Sequence, residues 1–341
     1  MTPLPPLTIS RRSVLKCLPL LAWPRGAIFS AEPGSPSGFL GQGSLCGEVT
    51  DASALLQTRL TAATQLDASG DLPGVAGVAC FEWGEREDFR AAQRTPFQPA
   101  TDRHDFIVRA ELTGLQPHTT YHYRVVYGHT ESAAQTGPAG SFKTLAGPAL
   151  DRPSRFIVGS CMNYNKFMHG RQGKAGGPLT ATDTDKRLGF PAFAAMLKLR
   201  PDFFVGTGDI VYYDNPMRVA KTVPQLRQCW HEQFRFPRLI EFFRTVPAYW
   251  SKDDHDFRYN ESDNTTEELP LPQTVIDLFR EQLPIVAAGS AKPTYRTHRV
   301  SRHLQIWLTE NRDYRSPNEM ADGPRKSIWG AEQRAWLRAT L

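Results

Sequence analysis

The hydrophobic residues in the second half of the chain form short runs, each followed by a cluster of polar or ionisable residues. Four such segments can be read along the sequence: 156–158 before Gly-Ser-Cys, 203–205 before Gly-Thr-Gly-Asp, 246–250 before Asp-Asp-His-Asp, and 304–308 before Glu-Asn-Arg-Asp. Most of the gaps between them are long enough for a crossover helix, and Phe193, Met196 and Leu197 have helical spacing ahead of Pro201. The pattern predicts a largely parallel sheet with helices in this part of the chain.

The carboxyl ends of parallel strands meet at one edge of a sheet, which is where such proteins build their sites. We therefore predict that Cys161, Asp209, Tyr212, Asp254 and His255 lie in one cleft. Taken singly, these residues also fit a buried thiol, a turn aspartate, a packed phenol and a histidine in an acidic turn. The cluster at 253–256 favours function more strongly, because three acids around a histidine directly after an apolar strand require a cation or solvent.

The four segments, in this order, resemble the PhoD-like alkaline phosphatases, a branch of the calcineurin-like metallophosphoesterase superfamily. The matching sequences are Gly-Ser-Cys at 159–161, Gly-Asp-Ile-Val-Tyr at 208–212, Asp-Asp-His-Asp at 253–256 and Arg-Asp-Tyr-Arg at 312–315. The combined order is specific, although no single block is. The fourth block has Glu-Asn-Arg at 310–312 where the family usually has Asp-x-Arg, so Arg312 and Arg315 are left out of the predicted site.

The resemblance implies that Cys161, Asp209 and Tyr212 bind a ferric ion, that Asp254 is a further metal ligand, and that calcium completes the centre. His255 would donate a proton or anchor the phosphate. The implied reaction is hydrolysis of phosphate mono- or diesters by a metal-bound hydroxide. The donor types agree with this: a phenol with a pKa of about 10 binds metal at neutral pH only beside a strongly charged cation. Thiolates favour iron or zinc, and carboxylates suit calcium.

The later histidine motifs with which this superfamily closes its metal centre, Gly-His-x-His or Gly-Asp-x-His, do not occur after Arg315. The sequence stops inside a predicted amphipathic helix at 330–341. We therefore expect the α/β metallophosphoesterase domain, 153–341, to be truncated at its C-terminus. Two alternatives stay open: an inactive product whose N-terminal domain is a binding or surface module, and a phosphodiesterase for phospholipid or cell-wall polymer.

Between residues 40 and 147 the pattern changes to strand-like alternation with frequent turn residues, as at 75–83, 106–112 and 121–127. The stretch from Leu115 to Val125, with Phe142 further on, is similar to the closing strands of fibronectin type III-like β-sandwiches. Tyr121 and Tyr123 are then predicted to be core or corner residues. The predicted fold is mixed: a β-sandwich domain followed by an incomplete α/β metallophosphoesterase domain.

The first 31 residues have the form of a twin-arginine signal peptide, with Arg11 and Arg12 ahead of a short apolar run. This predicts a periplasmic or secreted protein that engages the twin-arginine translocation machinery. Pro19 and Pro24 interrupt the apolar run, so we expect no permanent membrane anchor. Removal of residues 1–31 lowers the formal charge from +5 to +1, which argues against nucleic acid as an obligatory partner.

Two further features of the sequence allow more than one interpretation. Cys46 and Cys80 could form a disulfide in an oxidising compartment, or both could be buried thiols. The polar stretch at 256–294, with a predicted short helix at 274–282, could be a lid over the site or a solvated connection.

Overall fold

The structure, a computed structural model, describes residues 38–172, 178–285 and 292–341. The predicted signal peptide at 1–31 lies outside the described residues. The strands, in chain order, are β1 Ser44–Gly47, β2 Ser53–Arg59, β3 Gly77–Gly84, β4 Gln93–Arg94, β5 Gln98–Ala100, β6 Ile107–Thr113, β7 Thr120–Gly128, β8 Gln135–Thr136, β9 Gly140–Lys143, β10 Phe156–Gly159, β11 Arg171–Gln172, β12 Pro178–Leu179, β13 Phe203–Thr207, β14 Ala248–Ser251, β15 Arg296–Ser301 and β16 Leu304–Leu308.

The α-helices of the described residues all follow β10. They are α1 Tyr164–His169, α2 Asp183–Leu188, α3 Pro191–Lys198, α4 Val223–Phe234, α5 Pro237–Thr245, α6 Pro272–Gln282 and α7 Gly330–Thr340. Proline occupies the first turn of α3, α4, α5 and α6, where its missing N–H costs nothing. The predicted helices before Pro201 and at 274–282 correspond to α3 and α6.

The central sheet has the strand order β10-β13-β14-β1-β2-β6. Strands β10, β13, β14 and β1 are parallel neighbours, and β1, β2 and β6 continue the sheet in antiparallel fashion. The region 40–147 therefore contributes three strands to the sheet that carries the predicted site. The division into 40–147 and 153–341 stays a prediction, and in the structure the sheet continues across it.

The N-terminal region is rich in strands. A second sheet is built from β4-β3-β7-β8, with β5 added to β3 and β9 added to β7. Its inward residues share one hydrophobic cluster with β1, β2 and β6, and Phe81, Tyr123 and Phe142 are among the large members. Tyr121 belongs to the same cluster, and its hydroxyl accepts a hydrogen bond of 2.9 Å from the backbone N–H of Gln116.

The parallel strands separate two further packing layers. Alternate residues point to opposite faces of a strand. Phe204 packs with Phe242 and the other apolar residues of helices α3 to α6 on one face, whereas Phe203 packs with Val300 and Leu308 of the β15-β16 hairpin on the other. The parallel part of the sheet is thus covered by helices on one side and by a hairpin on the other.

The prediction that all four apolar segments join one parallel sheet was wrong for the fourth. β16 pairs antiparallel with β15 in a separate two-stranded sheet. Only Arg302 and His303 lie between these strands, and a connection this short allows a hairpin but not a parallel crossover. The residues after β16 nevertheless reach the same region of the molecule, as described below.

The cysteines and the helix lengths answer two further questions. Cys46 and Cys80 are both buried free thiols, so the possible disulfide between them is absent from the structure. Within the described residues, every helix is too short or too polar to cross a lipid bilayer.

Candidate metal centre

Three loops meet at the carboxyl edge of the parallel strands. They follow β10, β13 and β14 and carry Cys161, Asp209 and the 253–256 cluster. The backbone ties them together: Met162 N–H donates to the carbonyl of Asp209 at 2.8 Å, and Tyr213 N–H donates to the carbonyl of His255 at 3.1 Å. The predicted convergence at this edge is therefore present.

The loop after β13 approaches its neighbour closely because residue 208 is glycine. Gly208 has φ +102, and a Cβ built there would lie 2.5 Å from both the backbone N and the Cβ of Asp253. At Gly206 a Cβ would lie 2.4 Å from the indole ring of Trp250. The space that these glycines leave is occupied by other protein atoms, so the two glycines bring the loops together.

Cys161 and Tyr212 both donate hydrogen bonds to the carboxylate of Asp209. The thiol of Cys161 donates to Asp209 Oδ2 at 3.3 Å, and the phenol of Tyr212 donates to the same oxygen at 3.0 Å. Asp209 Oδ1 is buried and has no hydrogen-bond partner among the described residues. An ionised oxygen without a partner is costly to bury, so the carboxylate has one open ligand position.

Asp254 and His255 complete the cluster. One ligand atom from each of Asp209, Asp254 and His255 lies within 4.8 Å of the others. The ring of Tyr212 stacks on the imidazole of His255, with centroids 4.2 Å apart. The structure thus brings all five predicted residues together. Cys161 is exposed, in contrast to the alternative that it is simply a buried thiol.

The electrostatics of the cluster favour a cation. Burial raises the pKa of Asp209 above its ordinary value, although the hydrogen bonds from Cys161 and Tyr212 act in the opposite direction. Burial and the neighbouring Asp209 carboxylate also raise the pKa of Tyr212. A bound cation would reverse both effects, because it stabilises the carboxylate and the phenolate. Thiol, phenol and carboxylate donors beside an unpartnered carboxylate oxygen fit a metal ion.

Asp214, which we did not predict as a site residue, fixes the imidazole of His255. His255 Nδ1 lies 2.8 Å and 2.9 Å from the two carboxylate oxygens of Asp214. Because an ionised carboxylate only accepts, Nδ1 carries the proton in this contact and Nε2 remains for a ligand or substrate. Burial lowers the pKa of His255, but the hydrogen bond and charge of Asp214 outweigh it, so the net shift is upward.

The residues after β16 support the cluster from behind. Arg312 is buried and donates to Asp253 Oδ1 from Nε at 2.8 Å, so its guanidinium is engaged in an ion pair and is not free to hold a substrate. Lys252 Nζ is fully buried and lies 2.7 Å from Glu310 and 2.6 Å from Asp313. The positive charges of Lys252 and Arg312 therefore lie beside the acidic loop after β14.

The two histidines of the hairpin region lie away from the cluster. His298 Nε2 is bonded to Glu48 at 2.9 Å, and the exposed His303 is 3.7 Å from Asp151. His298 and His303 therefore face carboxylates outside the cluster.

Comparison with known proteins identifies the family. The model of the PhoD-like phosphatase family matches residues 156–341, and the model of the PhoD-like phosphatase N-terminal domain matches residues 30–146. Alkaline phosphatase D of Bacillus subtilis (strain 168) is 22% identical over an alignment of 331 residues, and the match covers 86% of this chain and 52% of the relative. The chain therefore spans about half the length of this curated relative.

Two solved structures are similar in fold. The structure of PhoD has a TM-score of 0.68 and 22% identity, covering 90% of this chain and 60% of that one. Purple acid phosphatase PPD1 from yellow lupin (Lupinus luteus) has a TM-score of 0.50 and 12% identity, covering 87% of this chain and 47% of that one. At these identities the likeness shows the fold alone. Since the phosphatase model matches more than half of the sequence, the chain belongs to the PhoD-like phosphatase family.

Proposed function

We propose that this chain carries a metal-dependent phosphoesterase site at the carboxyl edge of its parallel strands, acting on phosphate mono- or diesters. The observation that supports the proposal most directly is the meeting of Cys161 and Tyr212 on one carboxylate oxygen of Asp209 while the other oxygen has no partner. The similar B. subtilis protein is an alkaline phosphatase, and extending its activity to this chain is part of the proposal.

Cys161, Asp209 and Tyr212 would hold iron, and Asp254 would hold a further ion, with calcium suited to its carboxylate. The family resemblance implies this assignment, and donor chemistry agrees with it, because a thiolate and a phenolate prefer a strongly charged transition metal and carboxylates prefer a hard cation. When bound, such cations neutralise the phosphoryl oxygens and make the attacking water more acidic.

His255 would protonate the leaving alkoxide. Hydrolysis joins a water oxygen to phosphorus and breaks the bond from phosphorus to the alkoxide oxygen, which then needs a proton. With Nδ1–H held by Asp214, the proton comes from Nε2 of the imidazolium. Although burial acts to lower it, the hydrogen bond and charge of Asp214 raise the pKa of His255, which favours the protonated form that a general acid requires.

The leaving group provides a sharp test of this role. We expect His255→Ala to lower kcat by about 10²–10⁴ for an alkyl phosphate ester, because a poor leaving group depends on the proton. The loss should be much smaller for a nitrophenyl ester, which leaves without protonation. Equal losses for the two esters would remove the assignment of His255 as the acid.

Asp209→Asn tests the metal proposal itself. We expect the variant to lose both iron, measured by elemental analysis, and hydrolysis of either ester. Replacing even a group behind a metal ligand typically lowers metal affinity by about 10–100-fold, and Asp209 is proposed as a ligand itself. Asp322→Asn is the matched control, because that carboxylate is on the surface and almost fully exposed. Retained iron and turnover in Asp209→Asn would contradict the proposal.

We also propose that the protein is exported through the twin-arginine system, on the basis of Arg11 and Arg12 at 1–31. Replacing both arginines with lysine should keep the protein in the cytoplasmic fraction; unchanged export would refute this.

We further propose a fibronectin type III-like sandwich for the N-terminal sheets. The bond between Tyr121 and Gln116 supports it, because a tyrosine corner is typical of such sandwiches. A solution structure by NMR that lacked this bond would count against it.

A further inference from the structure

Arg258 is a fully buried arginine whose hydrogen-bond partners are backbone carbonyls. Its side chain is among the largest with less than 2% exposure, and the residue is 1% exposed. Nε donates to the carbonyl of Pro270 at 2.7 Å, and one terminal nitrogen donates to those of Asp263 at 2.9 Å and Thr265 at 2.5 Å. The other terminal nitrogen donates to the carbonyl of Glu268. The guanidinium also carries a charge that acts to lower the pKa of the nearby Asp263 carboxyl.

These four carbonyls belong to the loop at 259–271 that connects the acidic cluster to α6. A carbonyl that points inward and lacks a donor costs about 1–3 kcal/mol. The guanidinium supplies its donors in a fixed planar fork, which a lysine or a glutamine cannot reproduce. The loop has hydrogen bonds of its own, such as that from Ser262 N–H to the carbonyl of Tyr259 at 2.9 Å, but these four carbonyls are satisfied by the side chain of Arg258.

The beginning of the same loop contacts the candidate metal centre. The backbone N–H of Asn260 donates to Asp214 Oδ2 at 2.9 Å. The next N–H, that of Glu261, donates to Asp254 Oδ2 at 2.6 Å. Glu261 has φ +57, a left-handed conformation that a glutamate adopts only when the surrounding structure holds it. Two consecutive amides thus bind the carboxylate that orients His255 and the carboxylate predicted to bind metal.

We propose that Arg258 is a positioning residue for the site: it folds the loop so that the amides of Asn260 and Glu261 fix Asp214 and Asp254 at their mutual spacing. The side chain does not touch the site. It acts through the loop, which answers in part the question whether 256–294 is merely a solvated connection. The consequence for catalysis rests on the function proposed above, whereas the consequence for the two amides does not.

The experiment compares the full chain with Arg258→Ala, Arg258→Lys and the control Arg302→Ala. Arg302 also donates to a backbone carbonyl, that of Ala149 at 2.8 Å, but lies on the exposed surface. Three quantities are measured: hydrogen exchange of the amides at 260 and 261, affinity for iron and for calcium, and the melting temperature. Millimolar guanidinium, far below denaturing concentrations, is then added to Arg258→Ala, with ammonium as the comparison.

We expect both Arg258 variants to remain folded. The amides at 260 and 261 should exchange at least about tenfold faster than in the unsubstituted chain. Metal affinity should fall about 10–100-fold, the usual effect of removing a group behind a ligand. Guanidinium should restore both in Arg258→Ala, and ammonium should not. Arg258→Lys retains the charge and most of the apolar stem, so its failure would show that the fork, not the charge, is required.

Each other result has a definite meaning. Unchanged protection in both variants overturns the inference, and so does global unfolding of both, because Arg258 would then be needed for the whole fold. If protection is lost and guanidinium restores it, but the unsubstituted chain binds no metal, the positioning role stands and the proposed function fails. Changes of equal size in Arg302→Ala would also refute a specific role for Arg258.

Discussion

Asp105→Asn should measurably destabilise the protein, because Asp105 is the centre of a buried ionic network between the N-terminal strands and helix α4. Its Oδ1 lies 3.0 Å from Arg59, and its Oδ2 lies 2.6 Å from His231 Nε2 and 2.8 Å from the amide nitrogen of Gln282. The other ring nitrogen of His231 is 2.6 Å from Asp71. The asparagine would leave the guanidinium and the imidazole without their shared anion.

The magnitude follows from the pKa of Asp105. Burial raises it, but the hydrogen bond and charge of His231, together with Arg59, lower it to about 2 from an ordinary value of 3.8. At about 1.4 kcal/mol for each unit of pKa, this depression corresponds to roughly 2–3 kcal/mol of stability. Because the folded pKa is the lower one, the contribution is complete above the unfolded pKa near 3.8 and is lost as the pH falls through 2.

The assay is the free energy of unfolding by denaturant, measured from pH 7 to pH 3. We expect Asp105→Asn to lose about 2–4 kcal/mol at pH 7, because removing one partner of a buried pair also exposes the cost of the remaining charges. The difference from the unsubstituted protein should shrink at low pH, with roughly half of the linkage contribution gone at pH 3.

Asp88→Asn is the matched control. The pKa of Asp88 is also lowered to about 2, through its hydrogen bond with Arg86, but both side chains are well exposed and only two residues apart. Water screens this pair, and it can form equally in the unfolded chain, so we expect little change in stability. An Asp105→Asn variant no less stable than Asp88→Asn, or a difference that does not depend on pH, would refute the reasoning.

Three further substitutions test the region of the site. Lys252→Met leaves the buried Glu310 and Asp313 without their cation and should lower the free energy of unfolding by denaturant by about 3–5 kcal/mol. Lys326→Met breaks a surface pair and should lower it by less than about 1 kcal/mol. Similar losses for the two variants would contradict the burial argument. Tyr212→Phe should abolish any visible iron-phenolate absorption in the iron-loaded protein, and an unchanged spectrum would remove Tyr212 as a ligand. Gly208→Ala should destabilise the protein by about 1–3 kcal/mol through overpacking, because its Cβ would lie 2.5 Å from the backbone N of Asp253. A lower melting temperature would show this. Gly323→Ala, which has nothing within 4 Å of its Cβ, should not change the melting temperature.

The sequence predicted the residues at the edge of the sheet better than it predicted which strands form the sheet. Cys161, Asp209 and Asp254 each follow a parallel strand directly, so strand periodicity and the edge rule were sufficient to bring them together. The pairing of β16 was missed, because the four runs look alike as apolar segments. The signal that distinguishes the fourth was the connection of two residues before it, which favours a hairpin over a crossover.

Contacts between loops could not be predicted in the same way. Asp214 lies 41 positions from His255 in sequence, and nothing in the spacing shows that its carboxylate faces the imidazole. The four carbonyl partners of Arg258 depend on the path of an irregular loop, which hydrophobic periodicity does not describe. Residues that closely follow regular strands were therefore accessible from the sequence, and the residues that orient them required the structure.

The distribution of charge explains how one edge of the sheet holds so many acids. Lys252 and Arg312 are buried behind the loop after β14, and Arg312 is 3.9 Å from Asp254, so that side of the cluster is compensated by protein. Asp209 differs: within the described ranges its Oδ1 has no partner, and the adjacent imidazole of His255 is held by Asp214. Burying a carboxylate under these conditions is costly unless a cation binds there. The fold therefore leaves uncompensated the one position where the thiol and the phenol also converge, and this is the position at which a metal ion would stabilise the protein as well as serve its chemistry.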